Sequence, residues 1–250
     1  MKRANLYALH GTLGTPCDWD FLGDNFLGDS LHKVSLFEKW KEPIKLWEWA
    51  ADFNASLPIK EEGQINILMG YSLGGRLALH ALLQNPDLWD GAIIISTNPG
   101  LKTEEERTCR LHDDLKWSHQ LKNLGWEDFM SLWNNQEVLR GTPQIPRFEQ
   151  DYDKKAIANA MTHWSIGLQE DLREEISTLS LPILWIVGAN DTKYVQNSES
   201  LSFKNPLSSK VVFSETGHRV PWEQPEPFKS SLNHFIEKVY AQAKQPLARN

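Results

Sequence analysis

The chain has 250 residues, 40% hydrophobic and 10% aromatic, which is enough to build one substantial core. Its 26 basic and 33 acidic residues give a formal net charge of −7, which disfavours nucleic-acid binding because no basic excess is available to neutralise phosphates. Two cysteines exclude a disulfide scaffold and a cysteine-based zinc site, so we expect a cytoplasmic protein. The longest apolar runs have only strand length, so we expect no membrane insertion.

Short apolar runs alternate with longer helical patterns along the chain. The predicted strands are residues 5–9, 33–37, 65–69, 92–96, 183–187 and 210–213. Apolar residues recur at helical spacing over 46–57, 75–84 and 227–242. This alternation predicts a single α/β domain over residues 1–250, in which helices flank a mostly parallel central sheet.

One stretch, from about residue 100 to about residue 177, breaks the alternation because it contains no convincing strand. Thr103 and Glu106 form a capping-box pattern, which predicts a helix that starts there and runs through Leu121. The stretch is too long for a loop in a compact α/β domain. We therefore expect a helical insertion that serves as a lid or binding element.

A G-x-S-x-G motif, with Ser72 at its centre, lies directly between the predicted strand 65–69 and the predicted helix 75–84. This context is the one that a nucleophile elbow needs, since a tight strand-to-helix turn exposes the serine above the sheet. The competing interpretation, an ordinary glycine-rich turn, is weaker because both flanking elements are present. The motif predicts Ser72 as a catalytic residue.

Asp191 and His218 each follow a predicted strand and come after Ser72 in the order of an α/β-hydrolase triad. A serine hydroxyl needs a neighbouring base, and that base needs an acid that orients it. Alone, Asp191 would be read as a turn residue and His218 as a loop residue. Together with Ser72 they predict a catalytic triad, with the backbone N–H groups of Thr12 and Leu73 as its oxyanion hole.

Two arginines are candidates for binding an acidic substrate. Arg76 lies four residues after Ser72, so its guanidinium can reach the site and pair with a substrate carboxylate; the alternative is a structural salt bridge. Arg110 lies on the helix that the capping box opens. It either points from the insertion toward the site or forms a surface pair with Glu106, and spacing alone favours neither.

Several of these motifs together resemble one α/β-hydrolase family, the 2-succinyl-6-hydroxy-2,4-cyclohexadiene-1-carboxylate (SHCHC) synthases of menaquinone biosynthesis. The resemblance runs from about Leu6 to the last helix. Its parts are Leu9-His10-Gly11, Gly70-Tyr71-Ser72-Leu73-Gly74-Gly75-Arg76, Asn98-Pro99-Gly100-Leu101 with Arg107 and Arg110, Asp191, and Gly217-His218.

The resemblance implies a lyase in which Ser72 removes a proton, His218 and Asp191 make it basic, and pyruvate leaves as its enol. It also implies that Arg76 and Arg110 bind substrate carboxylates, and that Tyr71 and Trp133 line the pocket. The sequence departs from the family at residues 37–41, which lack a Pro-Gly-His-Gly turn. It departs again at Glu149, where the family has a further lid arginine: either Arg147 takes over after a small shift, or the site lacks one cation and accepts a different acidic substrate.

The alternative function is that of a carboxylesterase or thioesterase that forms an acyl-serine on the same fold. A binding protein with an unused triad is a weaker alternative. We expect no cofactor and no metal, because no ligand cluster or phosphate-binding loop is evident. The expected partner is a small polycarboxylate substrate, and the expected assembly is a monomer or small homo-oligomer.

Overall fold

Six strands form one parallel sheet within residues 4–23, 26, 30–42 and 44–244, the part of the chain that the computed structural model describes. The strands are β1 (Ala4–Leu9), β2 (Ser30–Val34), β3 (Ile65–Tyr71), β4 (Gly91–Ile95), β5 (Ile183–Gly188) and β6 (Ser209–Phe213). Their order across the sheet is β2-β1-β3-β4-β5-β6. The predicted α/β-hydrolase fold class with a parallel sheet is confirmed.

Helices cover both faces of this sheet. In the described residues they are α1 (Leu36–Lys39), α2 (Leu46–Ala55), α3 (Leu73–Gln84), α4 (Glu104–Asn123), α5 (Trp126–Asn134), α6 (Lys154–His163), α7 (Arg173–Thr178), α8 (Thr192–Glu199), α9 (Val220–Glu223) and α10 (Pro225–Ala243). On one face α2 and α3 pack against Leu68 and Ile94. On the other face α10 and a 3₁₀ turn, Pro16–Leu22, pack against Ile67 and Ile93. The strands between these layers are therefore apolar on both faces.

The prediction of a strand over residues 33–37 was wrong at its carboxyl end. The strand runs from Ser30 to Val34, and Leu36 begins the short helix α1. β2 is an edge strand whose residues are all partly exposed, so its composition is mixed and its start gave no apolar signal. The apolar run was created by Leu36 and Phe37, which are buried in the core from α1 and not from the strand.

Residues 96–182, which connect β4 to β5 and which we call the β4–β5 segment, contain α4 to α7. The predicted capping box is confirmed: the Thr103 hydroxyl accepts a hydrogen bond from the Glu106 N–H, and the Glu106 carboxylate accepts one from the Thr103 N–H. α4 packs against α6, where the Ser118 hydroxyl donates to the Ala158 carbonyl. The interpretation of this segment as a lid stays a prediction.

The two cysteines lie in different parts of the fold and both are exposed. Cys17 belongs to the 3₁₀ turn that follows β1, and Cys109 belongs to α4. None of the helices in the described residues combines the length and the hydropathy that crossing a membrane requires.

Candidate active site

Ser72 is the single residue between β3 and α3, and its backbone has the dihedral angles φ 53° and ψ −111°. This left-handed conformation is costly for a residue with a side chain and is typical of a nucleophile elbow. The Ser72 N–H donates to the Ile95 carbonyl at 2.9 Å, which ties the elbow to β4. The predicted strand, turn and helix around Ser72 are all present.

Three glycines leave the space that the elbow needs. A Cβ on Gly70 would overlap the Gly74 carbonyl, and a Cβ on Gly74 would overlap the Leu9 carbonyl. A Cβ on Gly75 would overlap the Thr97 hydroxyl. The elbow thus packs backbone against backbone at Gly70 and Gly74 and against the short Thr97 side chain at Gly75, which leaves no space for a larger residue.

The structure brings Ser72, His218 and Asp191 into one hydrogen-bonded chain. His218 Nε2 lies 3.2 Å from Ser72 Oγ, and His218 Nδ1 lies 2.6 Å from Asp191 Oδ2. His218 and Asp191 are buried, and Ser72 is partly exposed toward a cavity. In this arrangement Nδ1–H donates to the carboxylate, which leaves Nε2 free to accept the serine proton.

The loop that carries His218 is fixed by Glu223 of α9. One carboxylate oxygen of Glu223 accepts from the Gly217 N–H at 2.8 Å, and the other accepts from the Arg219 N–H at 2.9 Å. These bonds hold the backbone on both sides of His218. Close contact between Gly188 and the Gly217 carbonyl joins the loop to the end of β5, so that His218 meets Asp191.

The loop after β1 is shaped by His10, which is fully enclosed. His10 Nε2 accepts from the Leu36 N–H at 3.2 Å, so Nδ1 carries the proton and donates to the Gly11 carbonyl at 2.9 Å. Burial lowers the pKa of His10 to about 4, and the imidazole is neutral at pH 7. This loop brings Thr12 beside Ser72 and Leu73, where all three line the same small cavity.

Two small cavities meet at Ser72. The first, of about 110 Å³, contains His218 and is bordered by Tyr71, Trp133 and Arg147. The second, of about 60 Å³, is bordered by Leu73 and Arg76. Thr12, Ser72, Arg110 and Tyr194 line both cavities. Apart from Asp191, which contacts His218 and lines neither cavity, the residues predicted for the triad, the oxyanion hole and substrate binding therefore line one or both of these cavities.

Arg76 is a cation held by neutral acceptors. Its Nη2 donates to the Trp164 carbonyl at 2.7 Å, and its Nη1 donates to the Gln169 side-chain oxygen at 3.2 Å. In the part of the chain that the structure describes, no carboxylate lies within salt-bridge distance of its guanidinium. Burial lowers its pKa to about 10, so Arg76 remains charged at pH 7. The alternative interpretation, a structural salt bridge, was wrong.

The other two predicted arginines have carboxylate partners. Arg110 pairs with Asp114 at 2.9 Å and not with Glu106, whose carboxylate is engaged in the capping box. Arg147 forms a nearly buried bidentate pair with Asp18, with a second bond of 2.7 Å. Burial opposes the charge on Arg147, but the hydrogen bonds and charge of Asp18 outweigh it and raise its pKa.

Tyr71, Trp133 and Glu149 complete the set of predicted positions. The Tyr71 ring is buried with its centroid 5.5 Å from that of His218, and burial raises the pKa of its hydroxyl. Trp133 reaches the cavity from α5, packed on Trp117. Glu149 is exposed, pairs with Lys154 and does not line either cavity, whereas Arg147 does.

Sequence reasoning missed three residues around Ser72. Arg219, directly after His218, lines the cavity of about 110 Å³. Tyr194 of α8 has its ring centroid 4.7 Å from that of His218, and burial raises its pKa to about 12. Glu223 accepts hydrogen bonds from the backbone of the loop that carries His218. The one available signal was the proximity of Arg219 and Glu223 to His218 in the sequence.

A larger cavity, of about 900 Å³, adjoins the small ones. It shares Gly14, Asp18, Ile145 and Arg147 with the cavity around His218, so the Asp18–Arg147 pair stands in the wall between them. A Cβ on Gly14 would lie 2.8 Å from an oxygen of Asp18, so glycine there leaves room for that carboxylate.

Comparison with known proteins gives one family and a consistent set of relatives. A family model described as serine aminopeptidase, S33, matches residues 48–242. A Bacillus subtilis (strain 168) protein that carries the name SHCHC synthase provisionally is 28% identical, over 92% of this chain and 89% of its own. The SHCHC synthase of Pectobacterium atrosepticum is 28% identical, over 68% of this chain and 69% of its own.

Among solved structures, MenH from S. aureus superposes with a TM-score of 0.83. The alignment covers 96% of this chain and 95% of that chain at 21% identity. At that identity the similarity establishes the fold, and the chemistry has to be argued from the side chains around Ser72.

Proposed function

The chain belongs to the serine aminopeptidase S33 family of α/β-hydrolases, and from this premise we propose that it is a lyase with SHCHC synthase activity. The substrate would be a succinyl-enolpyruvyl-hydroxycyclohexene-carboxylate, from which pyruvate is eliminated. Relatives that carry this name match most of the chain, which supports the proposal. The observation that carries it is Arg76, a cation beside Ser72 without a carboxylate partner among the described residues.

A hydrolase for neutral esters gains nothing from an unpaired guanidinium near its nucleophile. A cation that is desolvated and held only by neutral acceptors costs free energy, and an anionic ligand offsets that cost. Arg76 lines the same cavity as Ser72 and Leu73, so a substrate carboxylate bound there would lie next to the reacting carbon. A planar guanidinium binds a carboxylate through two parallel hydrogen bonds and thereby fixes its orientation.

The proposed reaction uses the triad as a base. His218 Nε2 accepts the Ser72 proton, and Ser72 Oγ removes a proton from the substrate carbon; Asp191 stabilises the imidazolium that forms. The electrons of the broken C–H bond form a ring double bond, and the C–O bond to the enolpyruvyl group breaks. The Thr12 and Leu73 N–H groups would stabilise the developing oxyanion. The leaving enolate oxygen takes the proton from the His218 imidazolium, so pyruvate leaves as its enol, the triad is restored and no acyl-enzyme forms.

The test incubates the purified protein with the succinyl-enolpyruvyl-hydroxycyclohexene-carboxylate and measures pyruvate release above the spontaneous rate. We expect release by the wild type and a decrease in kcat/KM on the order of 100-fold in Arg76→Ala, because a charge-assisted bidentate contact is lost. Arg107→Ala is the matched control, since Arg107 pairs with exposed Glu104 and lines neither small cavity.

The carboxylesterase or thioesterase alternative uses the same three residues differently. It requires an acyl-serine, ready hydrolysis of p-nitrophenyl esters and no dependence on Arg76. Absence of pyruvate release together with fast ester hydrolysis would replace the lyase proposal by this one. Pyruvate release that Arg76→Ala leaves unchanged would remove the role given to that arginine. We also propose a cytoplasmic location, which the two exposed free thiols support.

A further inference from the structure

Arg219 is a second guanidinium at the triad that lacks a carboxylate partner in the described part of the chain. Its Nη1 donates to the Pro143 carbonyl at 2.5 Å and its Nη2 donates to the Asn134 side-chain oxygen at 2.9 Å. Both acceptors are neutral and both belong to the β4–β5 segment. The residue is only 7% exposed, yet it lines the cavity that contains His218.

The position of Arg219 is set by the same contacts that set His218. The Glu223 carboxylate binds the N–H groups of Gly217 and Arg219, and it makes no ion pair with the Arg219 guanidinium in the described residues. The Arg219 side chain therefore rises from a fixed backbone next to the imidazole. The Tyr71 hydroxyl lies beside the guanidinium and is a further neutral neighbour.

The Arg219 guanidinium has no carboxylate within salt-bridge distance in the described part of the chain, whereas Arg147, in the same cavity, pairs with Asp18, and Arg110 pairs with Asp114. Burial lowers the pKa of Arg219 and the charge on Arg147 acts in the same direction, whereas Tyr71 and the Glu223 carboxylate act in the opposite direction without offsetting the burial. A desolvated cation without a counter-charge is costly unless a ligand supplies one. Arg76 is in the same condition on the α3 side of Ser72.

We propose that Arg219 binds a second carboxylate of the substrate, on the His218 side of Ser72, while Arg76 binds the first on the α3 side. This inference rests on the proposed function and deepens it, because it makes the site selective for dicarboxylates whose acidic groups flank the reacting carbon. Since Arg219 also contacts Asn134 and Pro143, a carboxylate bound to it lies where the His218 loop meets the β4–β5 segment.

Two probe anions that differ by one carboxylate test the assignment. 2-Succinylbenzoate carries two carboxylates, and 4-oxo-4-phenylbutanoate has the same skeleton without the ring carboxylate, which is the group that the proposal assigns to Arg219. Their dissociation constants are measured by titration calorimetry on the full chain, so turnover is not needed. We expect the wild type to prefer the dicarboxylate about 10- to 100-fold. Arg219→Gln is expected to abolish most of this preference, and Arg219→Lys to keep part of it.

A control variant separates binding from a general loss of positive charge. Arg140→Gln removes an exposed cation that lies outside both small cavities. It should keep the wild-type ratio of the two dissociation constants. Thermal unfolding monitored by circular dichroism verifies that each variant is folded. If Arg219→Gln does not fold, the same titrations are made with Arg219→Lys.

The assignment is overturned if Arg219→Gln weakens the binding of both anions equally and so leaves the ratio of their dissociation constants unchanged. It is also overturned if the wild type shows no preference for the dicarboxylate. These results are distinct from a failure of the proposed function. A wild type that releases no pyruvate but loses its dicarboxylate preference in Arg219→Gln keeps the Arg219 site and requires another dicarboxylate substrate. A wild type that releases pyruvate with an unchanged ratio keeps the function and removes Arg219 from it.

Discussion

The two walls of the cavity around Ser72 are built by different means. The sheet-side wall consists of residues at the carboxyl ends of the strands, which are Thr12, Tyr71, Ser72 and His218. The segment-side wall consists of residues from the β4–β5 segment, which are Arg110, Trp133 and Arg147. Glycine contacts and backbone hydrogen bonds fix the first wall. Side-chain ion pairs and ring contacts hold the second.

This difference assigns different tasks to the two walls. Proton transfer needs atoms held within a few tenths of an ångström, and close backbone packing provides that accuracy. Substrate selection needs contact area around the reacting group, and the side chains of the segment-side wall can change without altering the elbow. Arg76 and Arg219, whose guanidinium groups contact only neutral acceptors among the described residues, stand outside this division. Substitutions in the sheet-side wall should therefore affect kcat and folding, whereas substitutions in the segment-side wall should affect KM.

The largest expected effect is a loss of kcat, which distinguishes the proton-transfer task of the sheet-side wall from the binding task of the segment-side wall. Asp191→Asn should lower kcat for pyruvate release about 10³- to 10⁴-fold, because the amide no longer holds His218 in the tautomer that leaves Nε2 free. Trp133→Leu should raise KM about 10-fold with little change in kcat, because it removes contact area that ground state and transition state share. Steady-state kinetics on both variants measure this contrast.

Asp113→Asn is the control for Asp191→Asn, because Asp113 is an exposed carboxylate on α4 that pairs with Lys116. It should leave both constants near the wild-type values. A large fall in kcat for Trp133→Leu would show that the segment-side wall also positions reacting atoms, and the division between the walls would then fail.

Glycine substitutions test the rigidity of the walls directly. Gly74→Ala should lower the free energy of unfolding by about 3 kcal/mol or more, because its Cβ would overlap the carbonyls of Leu9 and His10. Gly125→Ala, at the start of α5, should cost no more than about 1 kcal/mol, since its nearest neighbour would be a side-chain oxygen of Asp128 at 3.7 Å. Urea denaturation measures both, and equal losses would contradict the comparison.

The last effect concerns pH and the enclosed His10 of the sheet side. Its pKa is about 4 when folded, against 6.5 for the free side chain, so between these values the unfolded chain binds a proton that the folded chain excludes. Stability should therefore fall as pH decreases from about 6.5 to about 4, with a contribution from His10 of up to about 1.4 kcal/mol per pH unit. His80 on α3, whose pKa burial also lowers to about 4, adds to the slope.

His10→Gln should reduce the slope, because the amide can accept from the Leu36 N–H and donate to the Gly11 carbonyl without titrating. His119→Gln is the control, since His119 is exposed on α4. Urea midpoints at several pH values between 4 and 7 measure the slope. An unchanged slope in His10→Gln would mean that His10 is not excluded from protonation in the folded chain.

The sheet-side wall is also the part that the sequence predicts well. Ser72 and Asp191 each follow a buried strand, and His218 follows the edge strand β6, which ends in the apolar run 211–213. Parallel strands deliver their carboxyl ends to one edge of the sheet. The G-x-S-x-G pattern is a local signal because its glycines satisfy contacts within a few residues or with the adjacent strand. The position of β2 was predicted wrongly because an edge strand with partly exposed residues lacks the apolar run that marks a buried strand.

The segment-side wall depends on contacts that no local pattern encodes. Arg147 meets Asp18 across 129 residues of sequence, and its pairing follows from how the β4–β5 segment folds over the sheet. The capping box located the start of α4, but it did not predict the pairing of Arg110 with Asp114, a carboxylate that also accepts a hydrogen bond from Ser165, 51 residues further along the chain. Arg219 was missed because a lone arginine beside a histidine carries no periodicity.

The placement of the two thiols gives a way to measure how the walls move relative to each other. Cys17 is exposed beside the larger cavity, on the turn after β1, and Cys109 is exposed on α4 next to Arg110. The sequence contains no other cysteine, so spin labels or a fluorophore pair can be attached to the native chain without adding a residue. The distance between the labels, with and without a bound dicarboxylate, would report directly on the separation of the sheet from the β4–β5 segment.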